Sequence, residues 1–160
     1  MQVFDASSTI YAWDNYPLQQ FPGLWEWMAD QISSHKLVIS SVAFDEVLHK
    51  TPDCGEWLKE QSVKRLGVNN VILKDALRIK GLLGIADDQY HPKGVGENDI
   101  FIIATARAHQ AELVSDERRQ TGLPQATSKR KIPAVCAMTE VDVPCINFID
   151  FIRRSGQVFR

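Results

Sequence analysis

The chain predicts an α/β fold: a three-layer α/β/α sandwich around a short, mainly parallel central sheet. Two observations predict it. Short apolar runs (Val3-Phe4, Leu37-Val38-Ile39, Leu113-Val114) alternate with longer stretches whose apolar residues recur at helical spacing. Strands that alternate with helices build parallel sheets covered on both faces. Each run is also followed by an acid: Asp5 after the first, Glu46 in the helix-like stretch after the second, Asp116 and Glu117 after the third. Asp99 opens the apolar stretch Ile100 to Ala108. In a parallel sheet the strand C-termini line one edge, and that edge is where ligands bind.

The elements follow in order. Gln2 to Phe4 is a short strand that stops at Asp5-Ala6-Ser7-Ser8, where Ser7 or Ser8 caps a helix running through Ile10 and Trp13 and ending at Tyr16-Pro17. Phe21-Pro22-Gly23 is a turn. Leu24, Trp27, Met28 and Ile32 mark the apolar face of a second helix. Leu37 to Ile39 has the character of a buried strand. Ser40 or Ser41 caps the next helix, which carries Val42, Phe44, Val47 and Leu48 and ends before Pro52. Cys54 to Val63 and Asn70 to Leu83 are further helical stretches, and Gly81 and Gly84 weaken the end of the second. His91 to Gly96 is a loop. Asn98 or Asp99 caps a helix from Ile100 to about His109, and Glu112 to Ser115 is a strand. Thr121 to Lys131 is a polar loop, and Ala134 to Met138 reads as strand or helix. Cys145-Ile146-Asn147 is a last short strand, and Phe148 to Arg153 a closing helix.

With 160 residues, 44% hydrophobic and 24% charged, the chain is expected to form one soluble domain over residues 1–160. Its three cysteines, Cys54, Cys136 and Cys145, are odd in number and lack Cys-x-x-Cys spacing. That argues against a disulfide framework or a zinc knuckle and fits a reducing, cytoplasmic setting. No apolar run approaches the ~20 residues a membrane span needs, and no signal peptide is expected. The net charge of −2 carries no global nucleic-acid signature. Charge is uneven, however: Arg118, Arg119, Lys129, Arg130 and Lys131 fall in one stretch without an acid. Its ordinary reading is a solvated loop. Its functional reading is a grip on a phosphate backbone.

The acids carry the chemistry. At ~4 Å and an effective dielectric of ~20, each pair of like charges in one cleft costs on the order of 4 kcal/mol. A cation between them removes that cost, and Mg²⁺ takes oxygen ligands while keeping several waters. Singly, each acid has a plainer reading, as a helix cap or a solvated glutamate. Asp99 differs, because it begins a helix that is apolar on nearly every side, and such a helix is buried and holds its cap rigidly. His35, His49, His91 and His109 form no zinc-binding pattern. Trp25 and Trp27 point to different helix faces, so at most one lies deep in the core. The other, with Tyr11, Trp13 and Tyr16, is core packing, a partner surface or a base-stacking platform.

Together the motifs resemble those of the PIN-domain nucleases over nearly the whole chain. These begin with a strand ending Asp-x-Ser, here Asp5-Ala6-Ser7. A Glu follows in the helix after the second strand, here Glu46 in Ser41-Val42-Ala43-Phe44-Asp45-Glu46-Val47. An Asp then opens an apolar, alanine-rich helix, here Asp99 in Asn98-Asp99-Ile100-Phe101-Ile102-Ile103-Ala104-Thr105-Ala106. The last motif is a strand ending Thr/Ser-x-Asp, whose spacing from Ser115 selects Glu117, with Asp116 the rival fourth acid. Phe21-Pro22-Gly23-Leu24-Trp25-Glu26, Lys131-Ile132-Pro133-Ala134-Val135-Cys136 and Cys145-Ile146-Asn147-Phe148 resemble the PIN-like group DUF4411, whose fourth motif often carries Glu.

The resemblance implies a PIN-like sandwich and a ribonuclease dependent on Mg²⁺ or Mn²⁺. Asp5, Glu46, Asp99 and Glu117 would be the catalytic acids. Asp5, Asp99 and Glu117, or Asp116, would contact metal, and Ser7, Asn98 and Ser115 would hydrogen-bond the carboxylates into place. Glu46 would hold metal or orient the attacking water. RNA is the implied substrate, an antitoxin protein the implied partner, and a homodimer is compatible with the resemblance. Two other acid-rich α/β enzymes fit less well. Haloacid-dehalogenase-like phosphatases need Asp-x-Asp after the first strand, where this chain has Ser7, and the acid pair and late Lys of response-regulator receivers are missing. The alternative from another class is a catalytically silent PIN-like module that binds protein or RNA.

Overall fold

The strand nearest the N-terminus, β1 (Gln2–Phe4), is the middle of the sheet. The computed structural model describes residues 1–160. After β1 come α1 (Ala6–Asn15), α2 (Pro22–Ser33), β2 (Leu37–Ser40), α3 (Ser41–Lys50), α4 (Pro52–Glu60) and β3 (Arg65–Leu66). The rest is α5 (Asn70–Leu82), α6 (Glu97–Ala108), β4 (Glu112–Val114), α7 (Ile132–Cys136), β5 (Cys145–Ile146) and α8 (Phe148–Ser155). The strand order is β3-β2-β1-β4-β5 and every pairing is parallel. All four residues of β2 are buried, as a strand covered by helices on both faces requires. The mainly parallel sheet expected from sequence is thus wholly parallel.

Register aligns the strand ends. Phe4 pairs with Ile39 and with Val114, and Val114 pairs with Ile146. The next residues, Asp5, Ser40, Ser115 and Asn147, therefore stand in a row along the C-terminal edge. Three of them cap helices: Asp5 begins α1, Ser40 accepts from the Ala43 amide at the start of α3, and Asn147 accepts from the Asp150 amide at the start of α8. The chain leaves β1 toward β2 on one side and returns to β4 on the other. The gap outside β1 and β4 is thus the switch point at which parallel sheets bind ligands.

Burial explains the helices around this edge. In α6 Ile100, Ile102, Ile103, Ala104, Thr105 and Ala106 are all buried, so the helix is enclosed on most of its circumference and packs against α5. Emptying such a site, as in Ile103→Ala, costs about 2–5 kcal/mol. The Phe4 ring meets Phe151 edge-on at 5.1 Å and Phe148 at 6.3 Å, which ties α8 to the central strand. Trp25 is 4% exposed and donates from its indole to the Tyr16 carbonyl at 2.7 Å, whereas Trp27 is half-buried against Phe151 and Phe159. The two tryptophans therefore do lie on different faces. Tyr11 and Tyr16 pack on Phe148, and Trp13 on Trp25 and Trp57, so these rings are core-facing in large part. All three cysteines are free thiols. No helix is long and apolar enough to cross a membrane.

Several sequence expectations need correction. Helix α1 is capped by Asp5, two or three residues earlier than Ser7 or Ser8, because Asp5 is extended and its side chain accepts from the Ala6 amide. Helix α6 begins at Glu97 with Gly96 as cap. Asp99 sits in the first turn and accepts from the Gly96 amide at 2.9 Å, so it braces the start without being the cap residue itself. The stretch read as helix to Val63 ends at Glu60, and the two-residue strand β3 that follows went unread. Of Ala134 to Met138, the residues to Cys136 belong to a helix, α7, which starts at Ile132.

Candidate active site

Asp5 is the most buried acid of the C-terminal edge, 2% exposed at the end of the central strand. One carboxylate oxygen accepts from the Ala6 amide at 2.8 Å. The other accepts two hydroxyls, from Ser7 and, at 2.9 Å, from Ser115 on the neighbouring strand end. Ser7 also accepts from the Asp116 amide at 3.0 Å, and Ser115 accepts from the Glu117 amide at 3.2 Å. The two serines therefore clamp Asp5 to the turn after β4 and fix the direction in which residues 116 and 117 leave the sheet.

Burial, with repulsion from neighbouring carboxylates added, raises the proton affinity of Asp5 and Asp99. Burial pushes the Asp5 carboxyl up to about 7, with repulsion from Asp99 and Glu117 adding to it and the two serine hydroxyls opposing. Asp99 is raised to about 6, again first by burial, with the Gly96 amide opposing and the charges of Glu117 and Glu46 adding. Asp5, Asp99, Glu117 and Glu46 thus share one electrostatic neighbourhood contributed by β1, α6, the β4 end and α3. Two lysines temper it: Lys131 is 4.0 Å from Glu117, and Lys50 is 3.6 Å from Glu46 one helical turn away.

Asp116 faces elsewhere. One of its oxygens lies 3.4 Å from the Phe148 amide at the start of α8, and the other is buried without a well-formed hydrogen bond. Burial raises its carboxyl, while the Ser8 hydroxyl, the Phe148 amide and Arg119 oppose. Its charged neighbours are Arg119 and Asp150, and it is absent from the interactions that perturb Asp5 and Asp99. Asn98 is exposed on α6 and makes no side-chain hydrogen bond to the carboxylates. The expected supporting role falls to Ser7 and Ser115 alone.

No three His, Cys, Asp or Glu side chains stand close enough together to encircle one bare ion. The donor set nevertheless fits a water-rich divalent cation. Mg²⁺ needs only one or two direct carboxylates. Here the buried Asp5 and the half-buried Asp99, both with raised proton affinity, lie in one neighbourhood, Asp5 held by Ala6, Ser7 and Ser115 and Asp99 by the Gly96 amide. A cation would offset both the burial and the repulsion that favour their protonation.

The basic stretch divides. Arg118 and Lys131 line an open cleft of about 430 Å³, together with Gln120, Gly122 and Lys93. Arg119 turns back to donate to the Ser115 carbonyl at 3.3 Å, Arg130 donates to the Pro124 carbonyl, and Lys129 is exposed outside the lining. Sequence reasoning missed Lys93. Its only sequence signal was a cation beside Gly94 in a loop read as a plain turn.

The family model described as "Domain of unknown function (DUF4411)" matches residues 2–159. No curated protein matches the chain. Among solved structures the chain resembles VapBC2 from Rickettsia felis bound to a DNA fragment from their promoter. The identity is 16%, with 92% of this chain and 98% of that chain covered and a TM-score of 0.56. It also resembles FitAcB from Neisseria gonorrhoeae at 16% identity, with 92% and 97% covered and a TM-score of 0.53. At this identity the likeness is one of fold, and that fold is PIN-like.

Proposed function

The chain belongs to the DUF4411 family, and on that premise we propose that it is a metal-dependent endoribonuclease, the toxin of a toxin–antitoxin pair. The observation that carries the proposal is the pair Asp5 and Asp99, two carboxyls raised to about 7 and about 6 beside Glu117 at the sheet's switch point. A fold alone does not imply an activity. Burial and mutual repulsion both oppose ionisation here, and a bound cation would offset both.

In this reading Asp5 and Asp99 would hold Mg²⁺ or Mn²⁺, with Glu117 as their supporting carboxylate. Bound there, the ion would polarise the phosphate and acidify a water. Ser7 and Ser115 both donate to one oxygen of Asp5, which favours its charged form and fixes its direction. Glu46, on α3 and partly exposed, orients the attacking water and accepts its proton. Lys131 balances the Glu117 charge and stands between the acids and the basic cleft. The antitoxin partner is carried over from the kind of assembly that VapBC2 and FitAcB represent.

The test is cleavage of a broad panel of RNAs by purified protein free of any partner, with Mg²⁺, with Mn²⁺ and with chelator. Metal-dependent fragments that vanish in Asp99→Asn support the nuclease. Intact RNA throughout, together with a stable complex with RNA or protein, supports the silent binding module. The gene beside this one tests the toxin half: co-expression with a small DNA-binding neighbour is expected to yield a complex that no longer cuts.

A further inference from the structure

The basic cleft is a built cavity rather than the side of a solvated loop. Two separate segments make it: the turn around Lys93, and residues 118–131 after β4. They are joined by the Val95 amide donating to the Arg130 carbonyl at 3.0 Å. Gly94 abuts the Ser128 carbonyl so closely that a Cβ there would collide with it. The long segment is also tied within itself. The Gln120 side chain donates to the Lys129 carbonyl at 3.1 Å and accepts from the Lys131 amide at 2.9 Å, and Thr127–Lys129 forms one 3-10 turn.

Three cations line the cavity and no carboxylate does. Lys93 and Arg118 take part in none of the molecule's ion pairs, and Lys131 is shared with Glu117 at 4.0 Å. Cations collected in a concave site without counter-charges raise the local concentration of anions. The Lys131–Glu117 contact places this site directly beside the acid cluster. The geometry points to a phosphate-binding subsite: the cleft holds one backbone phosphate of single-stranded RNA next to the linkage held at the carboxylates. Lys93 and Arg118 are its contacts, and Lys131 divides its charge between that phosphate and Glu117. The inference rests on the RNA reading above, and it makes Lys93 a determinant of where along the strand the protein grips.

Binding is measured with metal chelated, so that cleavage plays no part. Anisotropy of a labelled single-stranded RNA oligonucleotide is followed over a range of salt for the wild type, Lys93→Ala, Arg118→Ala and the double variant. Each single variant is expected to weaken binding and to flatten the slope of log K against log salt by about 0.7, and the double variant by about 1.4. Lys36→Ala, exposed at the opposite edge of the sheet, is expected to change neither. An oligonucleotide with a single uncharged methylphosphonate linkage, moved along the strand, should lose affinity at one position with wild type and show no such position with the double variant. Absent RNA binding, binding of inorganic phosphate only, or an unchanged slope in the double variant overturns the subsite. RNA bound through Lys93 and Arg118 but never cut with metal would instead count against the nuclease alone.

Discussion

Ser115 donates its hydroxyl to the Asp5 carboxylate at 2.9 Å across 110 positions of sequence. The same oxygen of Ser115 accepts from the Glu117 amide. One side chain therefore steadies the charge of Asp5 and sets the path of the chain toward Glu117.

Ser115→Ala removes a hydrogen bond that favours ionised Asp5 and leaves a buried acceptor less satisfied. Stability should fall by about 1–3 kcal/mol. The Asp5 carboxyl, already raised to about 7, should rise further. The acidic limb of the kcat–pH profile should therefore move to higher pH. A profile superimposable on wild type would mean that Asp5 is not the group being titrated.

Asp99→Asn keeps an oxygen that can accept from the Gly96 amide, so the start of α6 should persist. It removes the charge that attracts a cation. Cleavage should drop at least about 100-fold, a loss of roughly 2.7 kcal/mol of transition-state stabilisation, while circular dichroism stays unchanged.

Glu117→Gln should cost more activity at saturating metal than Asp116→Asn. Glu117 perturbs both Asp5 and Asp99, whereas the neighbours of Asp116 are Phe148, Ser8, Arg119 and Asp150. Parallel kinetics of the two single variants decide it. If Asp116→Asn proves the dead one, the assignment of the fourth acid is reversed.

The metal-free protein should lose stability as pH rises. Asp5 and Asp99 have folded-state values of about 7 and about 6 against ordinary values of 3.8. Between those limits the folded state binds more protons than the unfolded one, so their contribution is full below about pH 4 and falls away up to about pH 7. Mg²⁺ or Mn²⁺ should offset this loss, with about 2.7 kcal/mol gained at a hundred times the dissociation constant. Thermal melts with and without chelator at several pH values test both signs. The same melts on Asp99→Asn should lose most of the metal response.

Gly94→Ala should part the two walls of the basic cleft, since its Cβ meets the Ser128 carbonyl. RNA affinity is expected to fall while the metal-induced thermal shift stays as in the wild type. Equal loss of both would show that the cleft and the carboxylates are mechanically one unit.

Most of the architecture was legible because it rests on long patterns. The apolar periodicity of α2 and α6 and the buried run of β2 each involve many residues, and several near misses leave them readable. Strand β3 was not legible: Arg65-Leu66 is too short for a period, and only its pairing with Ile39 and Ser40 makes it a strand. The caps were displaced for a related reason. Asp5, Ser7 and Ser8 all have side chains able to cap α1, and the choice depends on where β1 stops hydrogen-bonding to β4. The acids were legible as residue types at strand ends, and the two-residue spacing from Ser115 already set Glu117 apart from Asp116. Lys93 escaped because nothing local marks a turn lysine as cleft-lining. Its role depends on a contact between Gly94 and Ser128, 34 positions apart in the chain.

The central position of β1 has a consequence in time. The strand made first has both its neighbours made later, β2 first and β4 only when residues 112–114 emerge. Until then Asp5 lacks the Ser115 hydroxyl and the company of Glu117, and β1 is a strand with an open edge. Domains fold during synthesis as their parts appear, at about 5–20 residues per second. A ribosome-bound chain that has not yet exposed β4 holds the acids of the site in no common cleft. The cleft is therefore assembled only after β4 has emerged, and at that rate the roughly one hundred residues between β1 and β4 leave several seconds or more in which the acids stand apart.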